Sequence, residues 1–303
     1  MESITLPAVS PTELIDVSLA TKRDQLRASL ADLGPSLVAF SAGVDSSYLL
    51  AEAHAVLGDQ VVAVTADSPS LARRSLAEAT AFCAERGIAH RIVHTDEFED
   101  PSYVANSGQR CYACKAALFR AMDLLVAASD GTQALLLGAL SEDFQDYRPG
   151  LQAAREAGAR WPLADAGLTK PEVRALSRDL GLPTWDRPAE PCLSSRIPYG
   201  EPVTVEALRM IEAAEQELRR AGFRECRARH HAIGDGSGYL CRLEVPTAEL
   251  NLLLAQREGL LARIRAIGYL HVALDLGGLQ SGAFNALVQP TSTAVRPTKD
   301  VSP

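Results

Sequence analysis

The run Leu37-Val38-Ala39-Phe40-Ser41-Ala42-Gly43-Val44-Asp45-Ser46-Ser47 leads into Tyr48-Leu49-Leu50-Ala51-Glu52-Ala53, and its reading decides the fold. A short apolar run that stops at small residues suits a buried parallel strand. The helix formers after it predict an α-helix whose first turn spans Asp45 to Ser47. Unpaired N–H groups at such a helix start, with the positive end of its dipole, make a ready anion site. Ser41, Ala42, Gly43 and Ser46 are small enough to let a phosphate approach the backbone.

The pattern S-x-G-x-D-S after a strand resembles the PP-loop of the ATP pyrophosphatases, which cut ATP between its α- and β-phosphates and adenylate a substrate. No G-K-[ST] follows, so it is not a Walker loop. Ala42 stands where the family usually has glycine. An ordinary strand-to-helix turn is the other reading of this short string.

At 303 residues, with 47% hydrophobic and 22% charged side chains, the chain can bury a full core and reads as a soluble, two-domain globular protein. A net charge of −8 argues against a broad basic face that coats nucleic acid, while leaving room for a local basic pocket. No apolar stretch reaches the ~20 residues needed to cross a bilayer, and Met1 to Ser10 lacks the blocks of a secretory signal. The expectation is a cytoplasmic protein with no membrane partner. Its six cysteines then read as buried thiols, metal ligands or catalytic groups and not as a disulfide framework.

Outward from the central run, residues 11–33 predict an amphipathic helix. Gln60 to Ser68 predicts a second buried strand, Ser70 to Arg86 a helix closed by Gly87, and His90 to Thr95 a third strand. A helix opens at Cys111 and runs through Leu125, and Ala134 to Gly138 is a fourth strand. This succession predicts an α/β fold with a doubly wound parallel sheet, whose ligands sit at the carboxyl ends of the strands. Ser68, at such an end, meets the nucleotide or caps the next helix. Thr169 is expected to cap a helix from Lys170 to Leu180, and Arg187 to Gly200 reads as a structured loop. From Thr204 the pattern becomes helix, strand, strand, one helix from Thr247 to Ile267, and strand, which predicts a second, smaller α+β domain. The expected domains are 11–186, 187–288 (connecting loop and α+β domain) and a disordered tail, 289–303.

Cleaving ATP to AMP and pyrophosphate needs a phosphate cradle, a divalent metal and cations. Ser41, Gly43, Val44, Ser46 and Ser47 are the cradle candidates, and Asp45 is a candidate Mg²⁺ ligand. Lys115 and Arg148 are candidates to offset phosphate charge. Glu142, Asp143 and Asp146 hold metal or else cap and solvate their loop. Cys111 and Cys114 are spaced to share one metal or cluster, with Cys192 as a third ligand. Three cysteines would leave one iron of a [4Fe–4S] cluster open; a redox pair, a zinc site and ordinary thiols are the alternatives. Arg227 and Arg229 share one strand face and hold a substrate phosphate or line a solvated face.

Several blocks then come together: the PP-loop, R-C-Y-A-C-K at Arg110 to Lys115, D-Y-R-P-G at Asp146 to Gly150, T-K-P-E-V-R-A-L at Thr169 to Leu176, P-C-L-S-S-R-I-P-Y-G at Pro191 to Gly200, and L-D-L-G-G-L-Q-S-G at Leu274 to Gly282. In this order they are similar to the LarE family, sulfur transferases of nickel-pincer nucleotide cofactor synthesis. The resemblance implies that ATP adenylates a carboxylate of pyridinium-3,5-biscarboxylic acid mononucleotide, and that a sulfur nucleophile displaces AMP to leave a thiocarboxylate. Some members sacrifice a cysteine, which ends as dehydroalanine; others carry a [4Fe–4S] cluster on three cysteines, the type that Cys111, Cys114 and Cys192 match. It also implies substrate binding by Arg196, Arg227, Arg229 and Glu215, and a homo-oligomer. The family often has Arg where Gln280 stands. A tRNA thiolase with a PP-loop and a regulatory nucleotide-binding module without turnover are the alternative functions.

Overall fold

Three apolar runs and one mixed run, Ala89–His94, form one parallel sheet. In the computed structural model, which describes residues 11–129, 131–144, 148–234 and 236–280, these strands are β1 (Ser36–Ala39), β2 (Val61–Asp67), β3 (Ala89–His94) and β4 (Ala134–Leu137). Their order is β3-β2-β1-β4, and Val38 lies opposite Ala63 on one side and Leu136 on the other. The helices between them are α1 (Pro11–Leu33), α2 (Val44–Leu57), α3 (Arg73–Arg86), α4 (Pro101–Val104) and α5 (Arg110–Ala127), followed after β4 by α6 (Pro149–Glu156), α7 (Pro162–Asp165) and α8 (Lys170–Asp179).

Period two along β1 serves both faces of the sheet. Val38 and Phe40 join Leu26 and Leu30 of α1, Leu49 and Leu50 of α2, and Val173 and Leu176 of α8 in one buried cluster. Leu37 and Ala39 join Leu118, Phe119 and Met122 of α5 and Ala154 of α6 in another. A strand covered on both faces must be apolar throughout, and for that reason the run from Leu37 shows no polar alternation. The expected doubly wound α/β arrangement is the fold found.

The chain divides into two compact units. The first holds the residues through Val104 and Gln109–Ser194; the second holds Ala105–Gly108 and the residues from Ser195 onward. In the second unit α9 (Val205–Arg220) is followed by β5 (Arg227–Ala232), β6 (Tyr239–Glu244), α10 (Leu250–Ala255), α11 (Arg257–Ile267) and β7 (His271–Leu274). The strands pair in the order β5-β6-β7, the first pair antiparallel and the second parallel. Leu218, Phe223, Ala228, Leu243, Leu260 and Ile264 lie in the core of this unit.

Three expectations need correction. The single helix from Thr247 to Ile267 is broken at Gln256, whose backbone leaves the helical region (φ −101°) and whose side-chain amide donates to Ala221 O at 3.2 Å. The helix expected from Ser70 starts at Arg73, because Ser68 and Ser70 share a 2.7 Å hydroxyl contact and Leu71 N closes a turn on Ser68 O. Ser68 is therefore not that helix's cap; Ala72 is. Two further short helices, α6 and α7, each have a proline in the first turn. Among the described residues no helix is long and apolar enough to cross a membrane. Asp146 and the 289–303 tail lie outside the described residues.

Candidate active site

The phosphate loop joins β1 to α2. Gly43 is the N-cap of α2 and, among the described residues, no side chain caps the helix, so its first-turn N–H groups are unclaimed by any side chain. Ser46 crosslinks the loop: its hydroxyl donates to Gly43 O at 3.2 Å, accepts from Ser41 N at 3.3 Å and lies 3.2 Å from Ser41 Oγ. The buried Ser47 hydroxyl has no hydrogen-bond partner among the described residues. Ala42 takes φ +55°, the left-handed conformation that a glycine would hold without strain. The end of β4 comes very close to the same turn. A Cβ added at Gly138 would lie 2.9 Å from Ser46 N and 3.0 Å from Asp45 C, so only glycine fits there.

Asp45 points one carboxylate oxygen at Lys170 on the first turn of α8, with Oδ2 at 2.5 Å from Nζ. The other, Oδ1, is buried and has no hydrogen-bond partner among the described residues. A buried carboxylate oxygen with a lone pair to spare beside a phosphate cradle fits a Mg²⁺ ion, which takes one or two carboxylates and completes its shell with phosphates and water. Sequence reasoning missed Lys170 as a site residue, since it lies 125 positions from its partner; its only signal was the T-K-P-E block. Thr169 and Glu172 form a capping box that fixes this helix start, and Glu172 also holds Lys22 at 2.7 Å.

The carboxylates after β4 divide. Asp143 accepts Leu140 N at 2.8 Å and pairs with Arg148 at 2.6 Å, so it caps its own turn. Glu142 is exposed. Ser68 closes its turn with Ser70, at the carboxyl end of β2.

Cys111 and Cys114 lie on the first turn of α5, and Cys192 lies in the segment after α8 within the same unit. Cys111 and Cys192 are exposed and Cys114 is half-buried. Burial pushes the Cys114 thiol up to about 12, and the nearby Cys192 adds to the effect. Cys111 is raised by the same two causes, opposed by Arg110 and Lys115. Three thiols that feel one another's charge would gain from a cationic centre among them. Among the described residues no three His, Cys, Asp or Glu side chains converge as they would on one ion. A [4Fe–4S] cluster takes each cysteine on a separate iron, a donor set that these three thiols could supply. Gly150 packs against the same helix turn, with space for a Cβ only 3.0 Å from Lys115 Cγ and 3.2 Å from Cys111 O. Glu97 is fully buried nearby, with neither carboxylate oxygen hydrogen-bonded among the described residues. Cys83, Cys226 and Cys241 are buried in the cores.

In the second unit, Arg196, Arg227 and Arg229 are all at least nine-tenths buried, which rules out the solvated-face reading of β5. Arg196 Nε lies 2.7 Å from Glu215 Oε1, and Arg229 grips Glu244 with two bonds of 2.9 Å. Glu215 also accepts from Ala228 N and Arg219, so it acts as a support for Arg196. Glu244, also unforeseen, is shared with Arg242. Arg227 differs: among the described residues it has no carboxylate partner, and its guanidinium donates only to Gln280 O, at 2.6 Å. Burial, then the charges of Arg229 and Arg196, hold its pKa below the usual arginine range. This concentration of buried cations is short of an anion.

A parallel sheet ordered 3-2-1-4, with an uncapped helix and an S-x-G-x-D-S turn at the carboxyl end of its central strand, defines a doubly wound α/β protein of the PP-loop class. No family model matches the chain. It is 42% identical over 272 residues to an uncharacterized protein of Synechocystis, covering 89% of this chain and 99% of that protein. It is 36% identical over 269 residues to the pyridinium-3,5-bisthiocarboxylic acid mononucleotide synthase of Lactiplantibacillus plantarum, covering 88% of this chain and 95% of that enzyme. An uncharacterized protein of Methanocaldococcus jannaschii is 23% identical over 252 residues. The chain belongs to the LarE family.

Proposed function

We propose that this chain is an ATP-dependent sulfur transferase that converts a carboxylate of pyridinium-3,5-biscarboxylic acid mononucleotide to a thiocarboxylate. The Lactiplantibacillus relative is named for the bis-thio product of such chemistry. The observation that carries the reading is the uncapped α2 N-terminus beside Asp45, whose buried Oδ1 has no partner among the described residues. That combination suits a nucleotide polyphosphate with its metal better than it suits a structural turn.

In this reading a substrate carboxylate oxygen attacks the α-phosphorus of ATP and the bond to pyrophosphate breaks. A sulfur nucleophile then adds at the acyl carbon, and AMP leaves with the electron pair of the C–O bond. The loop amides of Gly43, Val44, Asp45 and Ser46, with the hydroxyls of Ser41, Ser46 and Ser47, hold the phosphates, and Ser68 lies toward the nucleoside. Lys170, Lys115 and Arg148 offset the charge that develops on pyrophosphate. Mg²⁺, held by Asp45, neutralises phosphate charge when bound. Arg227 takes the substrate phosphate, Arg229 and Arg196 line the same pocket, and Glu215 keeps Arg196 in place. Cys111, Cys114 and Cys192 would hold a [4Fe–4S] cluster, which would supply the sulfur nucleophile at the level of sulfide; in the route without a cluster, Cys192 would give up its own sulfur. The protein works as a cytoplasmic homo-oligomer.

Anaerobic turnover with ATP and the pyridinium substrate tests the reading, with the masses of product and protein measured together. The expected result is thiocarboxylate, AMP and pyrophosphate in step, from protein that contains iron and acid-labile sulfide. Without iron, loss of the elements of H₂S from the Cys192 peptide would move the reaction to the sacrificial route. Turnover that yields no AMP, or AMP formed only with tRNA, defeats the proposal.

A further inference from the structure

We infer that Arg187 is a positioning residue that couples occupancy of the phosphate loop to the segment carrying Cys192; the inference rests on the nucleotide reading above. One guanidinium, 13% exposed, reaches both places. Its Nη1 donates to Ala42 O at 2.9 Å and lies 2.5 Å from Glu78 Oε2 on α3. Its Nη2 donates to Glu190 Oε2 at 2.9 Å, two residues before Cys192, and lies 3.4 Å from Ser75 Oγ.

The bond to Ala42 bears on the cradle directly. In a trans peptide the C=O and the following N–H point in opposite directions. Holding the Ala42 carbonyl therefore aims the Gly43 N–H the other way. Ala42 is the residue with φ +55°, so this peptide needs an external hold more than its neighbours do.

The rest of the segment is tied to the same frame. Arg174 donates to Trp185 O and to Arg187 O, each at 2.8 Å, from the α8 helix that also presents Lys170 to Asp45. Arg74 of α3 pairs with Glu190. Leu193 N closes the arm on Ser70 O at 2.9 Å. Between these anchors, Glu190 is held by two arginines, and one of them also holds the phosphate loop.

A polyphosphate brings several negative charges to the loop, and these compete with Glu190 for Arg187. When Arg187 turns toward the nucleotide, Glu190 loses one of its two arginines and the stretch from Pro188 to Cys192 loosens. Nucleotide binding thus frees the sulfur-bearing arm once the loop is filled, which orders the two half-reactions.

Hydrogen exchange of the peptide spanning Trp185 to Leu193 tests this on anaerobically purified protein, with and without the non-cleavable analogue α,β-methylene-ATP. Exchange at Ala189, Glu190 and Cys192 is expected to speed up about threefold with the analogue, the scale of one partly buried ion pair. In Arg187→Gln and in Glu190→Gln the segment should already exchange at the faster rate and not respond. Glu190→Gln leaves the Ala42 contact intact, so it decides the matter if Arg187→Gln does not fold. A wild-type segment that is unchanged or protected by the analogue overturns the inference, as does a full response in Glu190→Gln. Equilibrium binding of the analogue to the same samples separates the two levels: bound analogue without coupling defeats this inference alone, and no binding defeats the nucleotide reading with it.

Discussion

At the scale of single residues, the phosphate loop is held by local chemistry and by one distant lysine. Ala42 stores strain in the left-handed region, roughly 1–2 kcal/mol for a non-glycine residue. Ala42→Gly should lie within about 1 kcal/mol of wild type, because relieved strain is offset by a freer unfolded chain and a lost buried methyl. Ala42→Val adds a branched side chain at a buried, left-handed position and should cost about 2 kcal/mol or more, measured by urea unfolding. Equal stabilities for the two variants would contradict the geometry. Lys170→Met separates charge from packing: the pair with Asp45 is partly exposed, so the stability loss should stay below about 1 kcal/mol. Pyrophosphate release should nevertheless fall on the order of 100-fold if Lys170 meets developing charge. A loss of stability with unchanged release would make Lys170 merely structural. The loop itself was legible because its signals, small residues and a helix start, are contiguous. Lys170 was not, because an ion pair between residues so distant in sequence leaves no local pattern.

Elements matter where they touch, and β4 approaches α2 closely. The sequence marked Ala134 to Gly138 as a strand but offered no reason for its terminal glycine. The reason is spatial, since the next element's backbone occupies the volume of any Cβ at Gly138. Gly138→Ala should therefore push α2 from the strand end, costing about 1–3 kcal/mol in thermal or urea unfolding. Nucleotide affinity should fall further than stability, because the displaced atoms are those of Asp45 and Ser46. Unchanged affinity of Gly138→Ala for an ATP analogue would show that the loop tolerates the shift. Helix starts with Thr or Pro signals were readable, as the Thr169 capping box shows. The break at Gln256 was not, since its cause is a side-chain bond to Ala221 and not a glycine or proline.

Across the whole molecule the two units differ in what they bury: apolar layers with a loop at their edge in the first, an arginine and glutamate lattice in the second. Period two told which face Arg227 and Arg229 share, but it carries no information about the glutamates they meet, so the depth of that lattice was invisible. The acid response of this unit follows from His230, on the β5 face opposite Arg227 and Arg229. His230 is 3% exposed, lies 3.0 Å from Tyr269 Oη, and is pulled down to about 4 by burial and then by His231. His231 is likewise lowered to about 4, by burial and then by Arg242 and Arg229. Between about pH 6.5 and 4 the unfolded chain binds a proton at each site that the native chain refuses. Stability is thus whole above pH 6.5 and falls as the pH drops toward 4, by about 3 kcal/mol for His230 alone. His230→Gln should cost about 1 kcal/mol near pH 7.5 through the weakened Tyr269 bond, and should then lose less than wild type on acidification. Glu215 and Glu244 contribute equally to both proteins and cancel in the difference. Hydrogen exchange of the β5 and β6 peptides reports on the second unit, while Trp161 and Trp185 fluorescence follows the first. Parallel acid profiles for wild type and His230→Gln in β5 would mean that burial does not hold His230 neutral.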